Sequence, residues 1–217
     1  RDLNSEATKS YARTIAEQLG ISYEVIPIET IVDAICKATE VIPGTLEYEN
    51  VQARARQEIL AAKAQKLGGV FTCNTNKVEM AFGYGTLYGD VAGYFAPLGD
   101  LVKREVRQIA IYLNKKFGRI VIPEACISQI PTAELAAKQK DPFDYGDEKR
   151  RGYHDEMVRA LTEFRKNAEW FLELYIKGTL EAELKLDVGT LTRLFPTPAD
   201  FVVDLERQMR NFHRGFF

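Results

Sequence analysis

The sequence predicts an α/β fold in which a parallel sheet is flanked by helices. Helical patterns alternate with short apolar runs over residues 1–73, and this alternation favours parallel strands joined by helices. The run at residues 70–73 is short and largely apolar, as is typical of a strand buried on both faces. With 217 residues and 46% hydrophobic side chains, the chain is long enough to form its own core.

The elements before residue 73 follow from caps, breakers and periodicity. Asn4 and Ser5 predict a helix start, and Gly20 predicts its end. Residues 23–28 are interpreted as a short buried strand. A second helix is broken at Pro43, and an alanine-rich third helix is expected at residues 49–67.

The pattern then changes. Residues 83–99 are rich in glycine and aromatic residues and predict a loop, whereas residues 101–117 predict an amphipathic helix. Residues 120–131 are expected to be extended. A polar surface segment is expected at 138–149, and one long helix is expected to carry the apolar face between Met157 and Tyr175.

Charge and composition exclude several classes of function. The 29 basic and 31 acidic residues give a net charge of -2, which argues against a nucleic-acid or anionic-lipid binding protein. No uncharged stretch approaches the ~20 residues of a membrane span, and no signal peptide is visible. Cys36, Cys73 and Cys126 are far apart and are interpreted as reduced thiols. These features predict a cytoplasmic protein.

Polar residues follow the predicted strand at 70–73, where ligands bind in parallel sheets. Asn74 and Asn76 can present donors to a nucleotide, and Asn76 can cap the next helix. Glu79 lies one turn into that helix, where a carboxylate either takes a metal ion or complements the helix dipole.

Other candidates are ambiguous when taken singly. Glycines at residues 83–90 allow close approach to a ligand or simply a packed loop. Asn50 and Arg54 share a helix face, and Arg54 suits a carboxylate or phosphate. Lys103 at a helix start is commonly a surface charge. His154 and His213 lack the neighbours of a hydrolase triad.

Several motifs in register resemble the NAD synthetase family. They occur in the expected order over most of residues 1–135. The form Thr-Leu-Tyr-Gly-Asp after Asn-Lys-x-Glu-Met-Ala resembles the glutamine-dependent type. The motifs are Asn-Ser-Glu-Ala-Thr at 4–8, Ala-Glu-Gln-Leu-Gly-Ile at 16–21, Glu-Asn-Val-Gln-Ala-Arg-Ala-Arg at 49–56, Asn-Lys-Val-Glu-Met-Ala-Phe-Gly-Tyr at 76–84, Thr-Leu-Tyr-Gly-Asp at 86–90 and Pro-Thr-Ala-Glu-Leu at 131–135.

This resemblance implies a Rossmann-like ATP-pyrophosphatase fold, of the adenine nucleotide alpha hydrolase type. Residues 1–217 would form a ligase domain, with an α/β nucleotide-binding core at 1–135 and a mainly helical extension at 136–217. The implied reaction has two steps: ATP adenylates the nicotinate carboxylate of deamido-NAD, and ammonia then displaces AMP. Mg²⁺ and a lysine are expected to neutralise the phosphate charge.

The resemblance also implies the site residues, although it assigns no catalytic residue. Glu79 would serve the metal or the substrate. Asn74 stands where the family usually has an ATP-binding threonine. The implied ATP contacts are Asn74, Lys103 and Thr132, and the implied deamido-NAD contacts are Asn50, Arg54, Glu79, Tyr84, Gly85, Thr86, Leu87 and Asp90.

The chain also departs from the family. The Ser-Gly-Gly-x-Asp-Ser phosphate loop would lie before Arg1, and a basic pair would lie after Phe217. No glutaminase domain is present. We therefore expect a fragment that is inactive alone, whose parent has a glutaminase domain and is a homo-oligomer. The alternatives are a non-catalytic scaffold and an ammonia-dependent synthetase; the Asn-x-x-Ala-Arg and Gly-Tyr-x-Thr combination disfavours a GMP-synthetase-like ligase.

Overall fold

The computed structural model describes residues 6–129 and 141–215, and the motif at 131–135, including Thr132, lies outside them, as do Asn4 and Ser5. Within these ranges the secondary structure is helical. The helices are α1 (Glu6–Leu19), α2 (Glu29–Thr39), α3 (Leu46–Lys66), α4 (Lys77–Phe82), α5 (Lys103–Phe117), α6 (Glu124–Ser128), α7 (Tyr153–Thr162), α8 (Ala168–Ile176), α9 (Leu180–Glu183), α10 (Thr190–Leu194) and α11 (Pro198–Arg214).

The chain divides into two compact units. Unit 1 comprises Arg1–Asn74, Thr86–Ala96 and Gln108–Pro142, and unit 2 comprises Thr75–Gly85, Pro97–Arg107 and Phe143–Phe217. The predicted functional division at residue 135 stays a prediction.

Unit 1 is built around the pair α2 and α3. Val32 of α2 packs against Val51 and Ala55 of α3 in a small apolar core. Thr45 caps α3, because its hydroxyl accepts a hydrogen bond from the Tyr48 amide at 3.3 Å. The predicted helices α1, α2 and α3 are confirmed, and α3 begins three residues before the predicted start.

The predicted parallel sheet is not confirmed: the described residues contain isolated bridges and no strand. Thr72 forms a parallel bridge with Phe95, where the Cys73 amide donates to the Phe95 carbonyl at 3.0 Å. The prediction of a buried strand at 23–28 is wrong, because Val25 is 58% exposed and this described segment forms no strand pairing. An apolar run becomes a strand only when other segments satisfy its backbone groups.

Unit 2 has a larger core, formed by α4, α7, α8 and α11. Most of its side chains with less than 2% exposure are aromatic or aliphatic, and Asp155 and Gln208 are the polar ones among them. The only tryptophan of the chain, Trp170 on α8, packs against this core. The fully buried apolar members of this core are Val78, Val102, Tyr153, Met157, Val158, Phe171 and Phe201.

Two sequence expectations for the second half of the chain are wrong. The segment 120–131 was expected to be extended, but it contains α6. The long helix through Met157 and Tyr175 is two helices, α7 and α8, separated by a turn in which Arg165 has a φ of 51°. Among the described residues, no helix combines the length and apolarity that crossing a bilayer requires.

Candidate functional site

In unit 1, the loop at residues 86–90 lies against α3. The Thr86 hydroxyl donates to Asn50 Oδ1 at 2.7 Å, and the Thr86 amide donates to Asp90 Oδ1 at 3.0 Å. Arg54 Nε donates to the Leu87 carbonyl at 3.2 Å. The structure therefore brings together five of the predicted substrate-binding residues, Asn50, Arg54, Thr86, Leu87 and Asp90.

Glycine is required where this loop approaches α3. A Cβ at Gly89 would lie 2.9 Å from Thr86 Cβ and 3.0 Å from Ala53 Cβ, closer than side-chain atoms normally pack. The Gly89 amide also donates to the Thr86 carbonyl at 2.9 Å. The glycine pattern at 83–90 thus serves close packing here, one of the two roles that the sequence left open.

Arg54 keeps its guanidinium at the surface while it fixes the loop. Its side chain is exposed, and the bond to Leu87 uses Nε, one of five N–H donors on the group. Asp90 is exposed as well, whereas Thr86 is 5% exposed. The buried Thr86 therefore anchors the loop, while Arg54 and Asp90 present a positive and a negative charge at the surface.

The Thr86 hydroxyl is expected to hold the 86–90 loop closed. In Thr86→Val, Asn50 Oδ1 loses its donor, and one lost hydrogen bond of about 1 kcal/mol should speed amide exchange at Gly89 and Val91 by roughly five- to tenfold. Hydrogen exchange followed by mass spectrometry measures this rate. Thr86→Ser retains the hydroxyl and is the matched control; equal exchange rates in the two variants would contradict the role.

Asn74 lies close to the bridge at Thr72. Its Oδ1 accepts a hydrogen bond from the Thr72 hydroxyl at 2.9 Å, and the residue is exposed. The bond orients the amide and leaves its nitrogen side pointing away from the Thr72 oxygen. The ATP contact of Asn74 stays a prediction.

In unit 2, Asn76 and Glu79 form the N-terminal cap of α4. Asn76 Oδ1 accepts from the amides of Val78 at 2.9 Å and Glu79 at 3.1 Å. In return, Glu79 Oε2 accepts from the Asn76 amide at 2.8 Å. This reciprocal capping box provides acceptors for amides at the helix start that have no partner inside the helix. Glu79 thus has the helix-start role that the sequence allowed, and its metal or substrate role stays a prediction.

Tyr84 and Gly85 follow the other end of α4. Gly83 ends the helix with a φ of 66°, and the Tyr84 amide donates to the Glu79 carbonyl at 2.9 Å. The Tyr84 ring meets Phe143 edge to face, with centroids 5.3 Å apart. Gly85 is exposed. The Tyr84 ring is therefore fixed in place by packing.

Lys103 is the first residue of α5. Its Nζ lies 5.7 Å from the centre of the buried Tyr145 ring, a cation–π distance. The helix start is also in contact with Asp155 of α7, whose Oδ2 accepts from the Arg104 amide at 3.1 Å. Both contacts lie within unit 2.

Lys77, which lies inside the motif at 76–84, forms ion pairs that were not predicted from the sequence. Its Nζ is 2.7 Å from Glu163 and 3.0 Å from Asp100, and its amide donates to the Leu101 carbonyl at 3.0 Å. Burial alone would lower the pKa of Lys77, but the hydrogen bonds to Glu163 and Asp100 outweigh burial and raise the pKa. Its partners are distant in sequence, so no local pattern indicates the role.

A second buried polar network lies around His154. Its Nε2 is 3.2 Å from Asp204 Oδ2, and its Nδ1 accepts from the Asp144 amide at 2.8 Å. The Asp144 carboxylate in turn binds Arg150 at 2.8 Å. Since Nδ1 accepts, the proton of the neutral imidazole is on Nε2. His154 thus links α7 to Asp204 of α11 inside unit 2.

Binding of Mg²⁺ by this chain stays a prediction. The described residues contain no group of three carboxylate, histidine or cysteine side chains placed to enclose a cation. Mg²⁺ commonly takes one or two carboxylates and completes its shell with water and substrate phosphates. A single carboxylate such as Glu79 suits that pattern.

Comparison with known proteins identifies the family to which this chain is similar. A family model described as NAD synthase matches residues 1–163. The glutamine-dependent NAD(+) synthetase of Thermotoga maritima is 38% identical over 154 residues, covering 67% of this chain and 27% of that protein. The NH(3)-dependent NAD(+) synthetase of Chlorobaculum tepidum is 34% identical over 143 residues, covering 66% of this chain and 49% of that protein.

A solved structure with a similar fold comes from a protein of the same kind. The glutamine-dependent NAD+ synthetase of Acinetobacter baumannii, solved with adenosine diphosphate, is 25% identical with a TM-score of 0.55. The match covers 95% of this chain and 34% of that one. This chain thus spans less than half the length of each of these three relatives. Because the family model covers most of the chain, this protein belongs to the NAD synthase family.

Proposed function

We propose that this chain is the ligase part of an enzyme that converts deamido-NAD to NAD with ATP, through an adenylated intermediate. The observation that carries the proposal is the family match over residues 1–163, which includes the 86–90 loop, the α4 cap and Lys103. The ADP complex of the Acinetobacter relative supports nucleotide binding. An ammonia supply from glutamine, through a glutaminase domain of the parent protein, is favoured by the Thermotoga relative.

The chemistry needs activation of a poor electrophile. A carboxylate oxygen of deamido-NAD attacks the α-phosphorus of ATP, and pyrophosphate leaves. Ammonia then attacks the carbonyl carbon, the C–O bond breaks, AMP leaves with that oxygen, and the nitrogen loses a proton. Cationic groups that stabilise the charge on the phosphates lower both barriers.

The residues are proposed to divide this work by chemical type. In unit 1, the exposed guanidinium of Arg54 and the polar 86–90 loop, with Asn50, Thr86, Leu87 and Asp90, would bind deamido-NAD, and Asn74 would contact ATP. As separate proposals, the Lys103 ammonium would contact an ATP phosphate, and Tyr84 and Gly85 would contact deamido-NAD.

Glu79 would bind Mg²⁺ or the substrate. The ion, when bound with ATP, supplies charge neutralisation at the phosphates. The cap described above holds the Glu79 carboxylate in one orientation, which is the contribution of this chain to such a site.

Oxygen transfer tests the reaction. The full-length protein is incubated with ATP, Mg²⁺, ammonia and deamido-NAD labelled with ¹⁸O in the nicotinate carboxylate. We expect NAD formation, with one ¹⁸O atom per AMP measured by mass spectrometry. Replacing ammonia with glutamine should sustain the reaction if a glutaminase domain supplies the nitrogen. AMP without label would contradict adenylation, and no turnover would favour the non-catalytic scaffold.

Two lysines of α5 provide a matched pair of substitutions for measuring the KM for ATP. Lys103→Met should raise the KM for ATP by about tenfold or more, because one charge-assisted contact to phosphate is lost. Lys115→Met removes an exposed lysine from the last turn of the same helix and should leave KM within twofold. An equal effect of the two substitutions would remove Lys103 from the ATP site.

Three further expectations stay predictions. They are a homo-oligomeric parent protein, a cytoplasmic location and the absence of turnover by the isolated 217-residue chain. Size-exclusion chromatography with light scattering tests the first, and pyrophosphate release by the isolated chain tests the last.

A further inference from the structure

Asp155 is a fully buried carboxylate that contacts the start of another helix. It lies on α7 and is 0% exposed. Its Oδ2 accepts from the amide of Arg104, the residue that follows Lys103 in the first turn of α5, at 3.1 Å. Its Oδ1 has no hydrogen-bond partner within the part of the chain that the structure describes. The carboxylate is therefore committed to the first turn of α5.

The first turn of α5 requires an acceptor from elsewhere. The first amides of any helix lack partners inside the helix, and a Ser, Thr, Asp or Asn at the N-cap usually accepts from them. Here Val102 precedes the helix and has no polar side-chain atom. Glu105 Oε2 accepts from the Val102 amide at 3.1 Å, and Asp155 of α7 accepts from the Arg104 amide at 3.1 Å.

The support behind Asp155 is rigid. Its neighbours on α7, Tyr153, Met157 and Val158, are all 0% exposed in the core of unit 2. The Lys103 side chain lies over the ring of Tyr145, which is 4% exposed. The first turn of α5 and the side chain of Lys103 are thus held by two separate contacts to the same well-packed region.

We propose that Asp155 is a positioning residue for the ligase reaction: through the Arg104 amide it fixes the first turn of α5, so that the ammonium of Lys103 is directed at an ATP phosphate. This inference rests on the proposed function for the identity of the phosphate. The contact itself, between Asp155 and the Arg104 amide of α5, does not depend on that function. Misplacement of a charged group by even ~1 Å can reduce catalysis about 100-fold, so such a contact matters for a residue that does not touch the substrate.

The test compares two substitutions in the full-length protein. Asp155→Asn retains an oxygen acceptor, whereas Asp155→Leu has similar volume and removes it. In the Leu variant, amide exchange at Lys103 and Arg104 should accelerate about tenfold, measured by NMR or mass spectrometry. The KM for ATP should rise about fivefold or more, while the KM for deamido-NAD stays within twofold. The Asn variant should restore the ATP KM to within twofold of the wild type.

Glu156→Gln is the matched control, because Glu156 is the next buried carboxylate on α7 and pairs with Arg151 at 2.7 Å. It should leave the ATP KM and the exchange of the Lys103 amide unchanged. If Asp155→Leu does not fold, Asp155→Ala removes the acceptor with a smaller side chain and gives the same comparison.

The outcomes separate the two proposals. Unchanged exchange at Lys103 and Arg104 in the Leu variant would overturn the contact. Faster exchange with an unaltered ATP KM would make Asp155 a structural residue only and would overturn the positioning role. A wild-type protein that neither binds ATP nor forms NAD would overturn the proposed function, and the exchange measurement would still decide whether Asp155 holds α5.

Discussion

Glu79→Gln is expected to lower NAD formation by the full-length protein about 100-fold, while its melting temperature stays within a few degrees of the wild type. The structure makes this substitution selective. Glu79 Oε2 accepts from the Asn76 amide at 2.8 Å in a capping box, and glutamine performs the same capping function. The substitution therefore removes the negative charge and keeps the helix start. Loss of a metal-binding or substrate-binding charge accounts for an effect of this size.

The control is the other capping box of unit 2. Asp200 of α11 accepts from the Thr197 amide at 2.9 Å, in the same reciprocal arrangement. Asp200→Asn removes a capping charge of the same kind and is expected to leave the rate of NAD formation within twofold. Steady-state kinetics and thermal unfolding are measured on both variants. Full activity in Glu79→Gln would leave Glu79 as a helix cap only and would end its assignment to metal or substrate.

Local patterns predicted the helices well because the hydrogen bonds of a helix join neighbours in sequence. Asn76 was interpreted as a cap from its position, and the structure confirms it, with bonds from residues two and three positions later. The helix expected at 101–117 is α5, Lys103–Phe117. In each case the information that decides the structure lies within a few residues.

The strands could not be predicted in the same way. The bridge at Thr72 pairs with Phe95, and the segment 23–28 has no such partner among the described residues. Whether an apolar run becomes a strand depends on these distant partners. The periodic face from Met157 to Tyr175 was misleading for a related reason: α7 and α8 both pack on the core of unit 2, so the pattern continues across the turn at Arg165.

The residues of the candidate site also differ in whether local sequence could predict them. Periodicity placed Asn50 and Arg54 on one helix face, but only the resemblance to a family joined them to Thr86, which the structure confirms at 2.7 Å from Asn50. Asp155 was not predicted, because its partner Arg104 is 51 positions away. An acidic residue in the first turn of α7 is ordinarily explained by the dipole of its own helix.

Burial gives Asp155 an unusual titration, which has a consequence for stability. Desolvation raises the pKa of Asp155 from 3.8 to about 7, and this effect exceeds the opposing hydrogen bonds from the Arg104 and Lys103 amides. Asp144 is the opposite case. Burial alone would raise its pKa, but hydrogen bonds from Arg150 and the Tyr153 amide lower it overall. Asp155 therefore favours folding at low pH, whereas Asp144 favours folding at higher pH.

Asp155→Asn should consequently gain stability relative to the wild type as the pH rises from about 4 to about 7. The folded wild type binds the Asp155 proton more tightly than the unfolded chain, so its contribution to stability is complete below pH 4 and is lost as the pH passes 7. A shift of about three pKa units corresponds to roughly 4 kcal/mol of relative change across this range. Urea unfolding followed by Trp170 fluorescence reports on unit 2, since Trp170 packs on its core.

Asp144→Asn supplies the control of opposite sign. The pKa of Asp144 is lowered on folding, so this carboxylate contributes stability above its unfolded value of about 4 and loses the contribution as the pH falls. The free-energy difference between Asp144→Asn and the wild type should therefore shrink below pH 4 and stay constant from pH 5 to 8. A difference for Asp155→Asn that is flat between pH 4 and 7 would show that Asp155 titrates alike in the folded and unfolded states. Such a result would mean that water reaches Oδ1, and the carboxylate would then accept from the Arg104 amide while solvated.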